Sequence, residues 1–181
     1  MGLPFTSISP EIKESFDEKT ECTVIVKELA VKKVNTVVES QKNRIPPWVL
    51  GADTLITIEA KIYGKPLDRK DAANMLRSFS GREHQVWSAI ALYNGRTKTI
   101  DCRSVQSAVS FAPLSDEEIE WYLDSGEWQD AAGAYRIQGL ASCFITGISG
   151  SYTSIVGLPL RELYVMLKDN GYYIPLPPGG Q

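Results

Sequence analysis

Residues 48 to 66, WVLGADTLITIEAKIYGKP, put a bare carboxylate inside an apolar, strand-like run, and few folds tolerate a charge there without a use for it. Trp48, Val49 and Leu50 read as a strand buried on both faces, and Gly51 and Ala52 are too small to obstruct anything approaching the backbone. Asp53 then falls at the carboxyl end of the strand, where ligands bind in open α/β sheets. The same carboxylate also reads as a turn residue that caps a neighbouring amide. Lys65 follows shortly after it.

With 181 residues, 43 % of them apolar, the chain is long enough for one sizeable core and short for two, so one domain over residues 1–181 is expected. Nineteen basic and twenty-two acidic side chains give a formal charge of −3, which does not provide the basic surface that duplex nucleic acid requires. The three cysteines, Cys22, Cys102 and Cys143, are widely spaced and form no CxxC unit, which points away from a disulfide framework or zinc site and towards reducing cytoplasm. No run of about 18 apolar residues and no signal-peptide pattern occurs, so neither a membrane span nor secretion is expected.

Residues 4–9, PFTSIS, read as a short strand, followed by an acidic connection. Between Val26 and Val37 the apolar positions Val26, Leu29, Ala30 and Val37 share a helical face, and Lys33 falls on that face. Its stem could snorkel across apolar neighbours to water, or its ammonium could be aimed into a cleft. TLITIE and KIYGKP form a hairpin pattern, after which Asp68 caps a helix that repeats Ala72, Met75, Leu76 and Phe79 and stops at Ser80 and Gly81. HQVWSAIALY and TIDCRSVQSAVSFA, joined at Asn94, Gly95 and Arg96, predict a long antiparallel ribbon. Ser115 and Glu118 form a capping box before Ile119, Tyr122 and Leu123. An apolar strand, ASCFITGI, comes next, and then a helix from Pro159 with Leu160, Leu163, Tyr164 and Leu167 on one face. Residues 175–181 read as a loose tail. The pattern predicts an α/β fold with an elongated mixed sheet flanked by helices.

Glu14, Lys33, Asp53 and Lys65 make a metal and phosphate site chemically reasonable. Magnesium takes hard oxygen ligands from one or two carboxylates plus substrate phosphates, and lysines neutralise phosphate charge. Such a site favours attack of water on phosphorus, with an aspartate orienting or deprotonating the water. Glu14 sits among several acidic side chains, and a solvated loop explains it equally well. In GAYRIQG, residues 133–139, Tyr135 supplies a flat face and Gln138 a donor and an acceptor for a base edge. The alternative is a tight loop with Tyr135 in the core. His84 has no GxSxG elbow beside it and reads as a hydrogen-bonded residue at a strand start. Neither a GxxxxGK[ST] loop nor a GxGxxG turn is present.

Taken in order, GADT at 51–54, GKP at 64–66, AANMLRSFSGREHQVWSAIAL at 72–92, AGAYRIQG at 132–139 and GSYTSIVGLPL at 150–160 resemble the Maf family of nucleoside triphosphate pyrophosphatases. The resemblance implies a central nucleotide cleft, an architecture related to the inosine triphosphate pyrophosphatases, and cleavage of a nucleoside triphosphate to the monophosphate and pyrophosphate with a divalent cation, Mg or Mn. By the same resemblance Asp53 is the catalytic aspartate and, with Glu14, a metal ligand. Lys33 and Lys65 match basic substrate-binding positions, Thr54 and Gln138 match the subfamily acting on dTTP and UTP, and a homodimer is expected.

Two departures accompany the resemblance. Family members begin with a segment of the type LASxSPRR, and this chain opens at MGLPF, so the expectation is a truncated chain or a start assigned too far downstream, N-terminally incomplete by roughly one βα unit. That leaves a non-catalytic nucleotide-binding regulator of septum formation as the alternative function. Ala131 also stands where many members have lysine and Arg136 where many have glycine, so Arg136 is expected to supply charge locally.

Overall fold

The computed structural model describes residues 2–12, 17, 20–41, 46–59 and 61–174. Glu14 and the 175–181 tail lie outside the described residues. Helix α1 (Cys22–Ser40) forms where Ile25, Val26, Leu29, Ala30, Val34 and Val37 recur at three- and four-residue spacing, and it runs past the predicted Val26 to Val37 stretch at both ends. Strand β1 (Trp48–Ile58) turns into β2 (Lys61–Tyr63), as the hairpin pattern predicts. Asp68 then caps α2 (Arg69–Phe79) by accepting from the Asp71 amide at 2.8 Å. Strands β3 (Glu83–Asn94) and β4 (Thr99–Phe111) are the expected long ribbon, and Asn94 Oδ1 closes their turn by accepting from the Arg96 amide at 3.0 Å.

The capping box of Ser115 and Glu118 starts α3 (Asp116–Asp124). Two 3-10 turns, Ala132–Ala134 and Leu140–Phe144, lead to β5 (Ile145–Ser149), α4 (Tyr152–Val156) and α5 (Leu160–Asp169). The sheet order is β2-β1-β3-β4-β5. One face of the sheet carries α1, packed with Val49, Leu55, Ala89, Ala91 and Tyr93. On the other face, α2 and α3 pack with Ile56, Val86 and Val109, and α5 packs with Ile90 and Leu92. No described helix is long and apolar enough to cross a membrane.

The α/β class and elongated sheet are as predicted, but several local expectations change. Every described ladder is antiparallel, so the sheet is antiparallel rather than mixed. Asp53 lies in mid-strand rather than at a strand end, because β3 pairs without a break with positions Trp48 to Thr57. Leu50 is 40 % exposed, so the start of β1 is not buried on both faces. Residues 4–9 form no strand; Phe5 is exposed, and the segment is anchored by Leu3 and Ile12, which pack against different clusters. Residues 140–144 are a 3-10 turn rather than the start of β5. In α5 the core is made by Leu163, Met166 and Leu167, while Leu160 and Tyr164 stay partly exposed.

Two features of this packing set the surroundings of β1. At Gly51, a Cβ would stand 2.8 Å from Val34 Cγ2 and 2.9 Å from the Ala30 carbonyl, so α1 rests directly on the β1 backbone. On the outer edge of β1, β2 pairs only with Ile56, Thr57 and Ile58, and among the described residues no strand covers the edge from Trp48 to Leu55.

His84 and Tyr135 behave as their structural readings predict. His84 is 1 % exposed, stacks on Phe79 with ring centroids 4.5 Å apart, and meets Tyr135 Oη through Nε2 at 2.8 Å. Among the described residues its Nδ1 has no hydrogen-bond partner. Burial lowers its pKa from 6.5 to about 4.

Gly51→Ala should cost about 1–3 kcal/mol in urea unfolding because the added methyl overpacks the α1 contact. Gly64→Ala, where a Cβ meets nothing within 4 Å, is the control and should change stability far less. The unfolded chain binds a proton at His84 more readily than the folded one, so the stability this residue contributes is complete above pH 6.5 and lost as pH falls towards 4. Denaturation midpoints measured across that window should correspond to a loss on the order of 3 kcal/mol, and His84→Gln should flatten the descent.

Candidate active site

Because Gly51 lets α1 lie against the strand, Asp53, two residues along on the same face of β1, comes within reach of Lys33. Lys33 Nζ donates to Asp53 Oδ1 and also lies 3.5 Å from the Ala52 carbonyl. Of the two readings of Lys33, the cation aimed inward is therefore the one realised. Asp53 is only 7 % exposed, yet it borders a cleft of about 280 Å³.

Five consecutive β1 residues, Ala52 to Ile56, line this cleft although their side chains alternate between the two faces of the sheet. The cleft thus meets the strand edge-on, against the uncovered backbone. Gly64 and Lys65 border it beyond β2, the loop from Asp130 to Gln138 forms a further wall, and Ile155 to Gly157 of the α4 end close it. Lys65 is well exposed and lies 4.0 Å from Asp130, an ion pair weak enough to exchange for a ligand. Thr54 and Gln138 line the same space, so four predicted contacts converge with Asp53. Glu14 is outside the described residues and cannot be placed among them. A larger, shallower groove of about 570 Å³ along α1 holds none of the predicted site residues.

The wall containing Gln138 is fixed from outside the cleft. Tyr135 is buried in the aromatic core, where it packs the loop, and it also borders the cleft. Arg136 donates from Nε to the Glu127 carbonyl at 3.0 Å and from Nη2 to the Gln129 carbonyl at 2.9 Å. Glu127 Oε2 accepts from the Leu140 amide at 2.8 Å, in space that a Cβ on Gly139 would occupy. Exposed Gln138 is therefore held between two anchored points. Gly133 and Ala134 adopt φ of 67° and 62°, and Gly133 donates to the Gly64 carbonyl at 2.9 Å, tying the loop to the Lys65 wall.

Sequence reasoning missed Asp130 and the Glu127 clamp, because one more acidic residue in a polar stretch carries no local signal. It also missed Ser88, which lies opposite Thr54 in the ladder and is fully buried. A serine in the middle of the apolar run VWSAIAL was the available clue.

A family model described as Maf-like protein matches residues 1–170. A protein of Symbiobacterium thermophilum named dTTP/UTP pyrophosphatase is 41 % identical over 174 residues, 96 % of this chain and 87 % of that protein. Proteins with the same name from Shewanella denitrificans and Escherichia coli O157:H7 are 42 % and 41 % identical, over 90 % and 93 % of this chain and 81 % and 84 % of their own lengths. The motifs that line the cleft and the extent of these matches agree: the chain belongs to the Maf family.

Proposed function

We propose that this protein is a nucleoside triphosphate pyrophosphatase that converts dTTP and UTP to the monophosphate and pyrophosphate with the help of a divalent cation. The observation that carries this reading is the Lys33 and Asp53 pair at a cleft that Lys65, Thr54 and Gln138 also border. Relatives at 41 % identity named dTTP/UTP pyrophosphatase support the same substrates.

Water adds to a phosphorus of the α–β bridge, the bond from that phosphorus to the bridging oxygen breaks, and the monophosphate and pyrophosphate separate, one of them carrying the oxygen of the water. Asp53 orients the water and takes its proton. Lys33 fixes the carboxylate and sets a positive charge beside it, and Lys65, on a mobile four-carbon stem, follows the phosphate charge from the other wall. Gln138 offers a donor and an acceptor to the base, with Thr54 as a second polar contact.

Magnesium or manganese fits the donors on the cleft wall. Asp53 presents hard carboxylate oxygens, and these ions are commonly held by one or two carboxylates with substrate phosphates completing the shell. By the family resemblance Glu14 would be the second carboxylate. Asp53 would hold the ion, which neutralises charge on the phosphoryl oxygens.

Asp53→Asn should lower kcat for pyrophosphate release from dTTP or UTP by about a hundredfold or more. Full activity in that variant would remove Asp53 from the chemistry, and nucleotide binding by the native chain without turnover, not restored by an N-terminal extension, would favour the regulatory reading. Treatment with EDTA should stop pyrophosphate release and added Mg or Mn should restore it; turnover that persists in chelator would eliminate the cation.

A further inference from the structure

Below the cleft, buried hydroxyls link Thr54 to α4, and the proton of Ser88 has one destination. Ser88 Oγ lies 2.6 Å from the Ser154 carbonyl, which can only accept, so the single Ser88 proton goes there. Ser88 Oγ also lies 2.9 Å from Thr54 Oγ1, and with its own proton committed it must accept from Thr54. On the other branch Ser154 Oγ lies 2.8 Å from the Ser151 carbonyl and 2.8 Å from Ser107 Oγ, and Ser107 Oγ accepts from the Ser151 amide at 3.0 Å and lies 3.5 Å from the Ser151 carbonyl. Ser88 and Ser154 are fully buried and Ser107 nearly so, which keeps water from rearranging the chain.

Thr54 is thus turned with its proton towards the sheet and its lone pairs towards the cleft it lines. Gly157, at φ 120°, keeps the space above it open, since a Cβ there would stand 3.8 Å from Thr54 Oγ1.

We propose that Ser88 is a positioning residue for substrate recognition: by taking the Thr54 proton it makes Thr54 a pure acceptor, which receives the imide N3–H of uracil or thymine. The inference rests on the pyrimidine triphosphate activity proposed for this cleft and deepens it, limiting the favoured substrates to bases that carry a hydrogen on N3. Cytosine, with a bare N3, would set two acceptors against each other. A site built to pair a donor rejects ligands lacking it because its own buried acceptor is then left unmatched.

The test is calorimetric binding of the non-hydrolysable α,β-imido analogue of UTP and of its N3-methyl derivative, with Mg, to the native protein, Thr54→Val, Ser88→Ala and Ser107→Ala. The native protein should prefer the unmethylated analogue by about tenfold or more, and the preference should shrink about three- to tenfold in Thr54→Val and in Ser88→Ala. Ser107→Ala cuts the α4 branch without touching Thr54, so it should lower Tm and keep the native preference. Ser88→Cys fills the same space with a poor acceptor and gives the same reading if the alanine variant does not fold.

A preference unchanged in Ser88→Ala overturns the proposal, because purely steric rejection of the methyl group would survive that substitution. Equal binding of both analogues by the native protein also overturns it, with weaker binding of the 3′-deoxy analogue then marking a sugar hydroxyl as the donor. The Ser88-dependent preference without turnover of UTP or dTTP would leave the inference standing and remove the proposed activity, whereas turnover with a Ser88-independent preference would do the reverse.

Discussion

The seating of α1 on the backbone of β1 is the contact on which the rest of the site depends. Helix and strand can approach closely only where one of them has no side chain, and Gly51 supplies that place against Ala30 and Val34. The register is then set: with Gly51 under the helix, Asp53 faces the same way and Lys33 reaches it. A charged pair at the margin of an apolar layer would be a liability if it were only structural, since each ion gives up hydration on entering it. At the mouth of a cleft the same pair keeps access to solvent and to ligand.

The opposite face of the sheet solves a different problem. There Thr54 must be held at a strand edge with little packing around it, and the fold uses directional bonds in place of bulk: Ser88 and Ser154 connect the strand to α4. Further along, the Phe79, His84, Phe111 and Tyr135 cluster anchors the loop that leads to Gln138. Acid chemistry from one face and polar readout from the other meet only because the cleft lies at the edge of β1, where both faces are accessible at once.

Much of this was legible in the sequence where local physics dominates. The Asp68 cap, the Ser115 and Glu118 box, the α1 stripe and the long ribbon all follow from periodicity and capping chemistry that neighbouring residues determine by themselves. Asp53 was recognisable as out of place, but its position in mid-strand was not, because the small Gly51 and Ala52 look like a break until the unbroken pairing with β3 is seen. The 140–144 stretch failed for a related reason: residues with apolar members fit a strand pattern, while the Leu140 amide is held by Glu127 and Ser142 bonds back to the Gly139 carbonyl in a turn. Ser88 and Glu127 act across long sequence separations, and no local pattern encodes such partners.

Among the described residues the outer edge of β1 from Trp48 to Leu55 has no partner strand, and this bears on how the chain avoids other chains. A strand edge with unsatisfied amides and carbonyls is a template on which a foreign strand can grow, and proteins commonly blunt such edges with charge or cover. Here the part of that edge from Ala52 to Leu55 lines the cleft, with Lys33 and Asp53 on one side and Lys65 on another, so a second sheet would have to desolvate those charges to pair there. The charges that make this part of β1 receptive to a ligand therefore also make it a costly place for a foreign strand to pair.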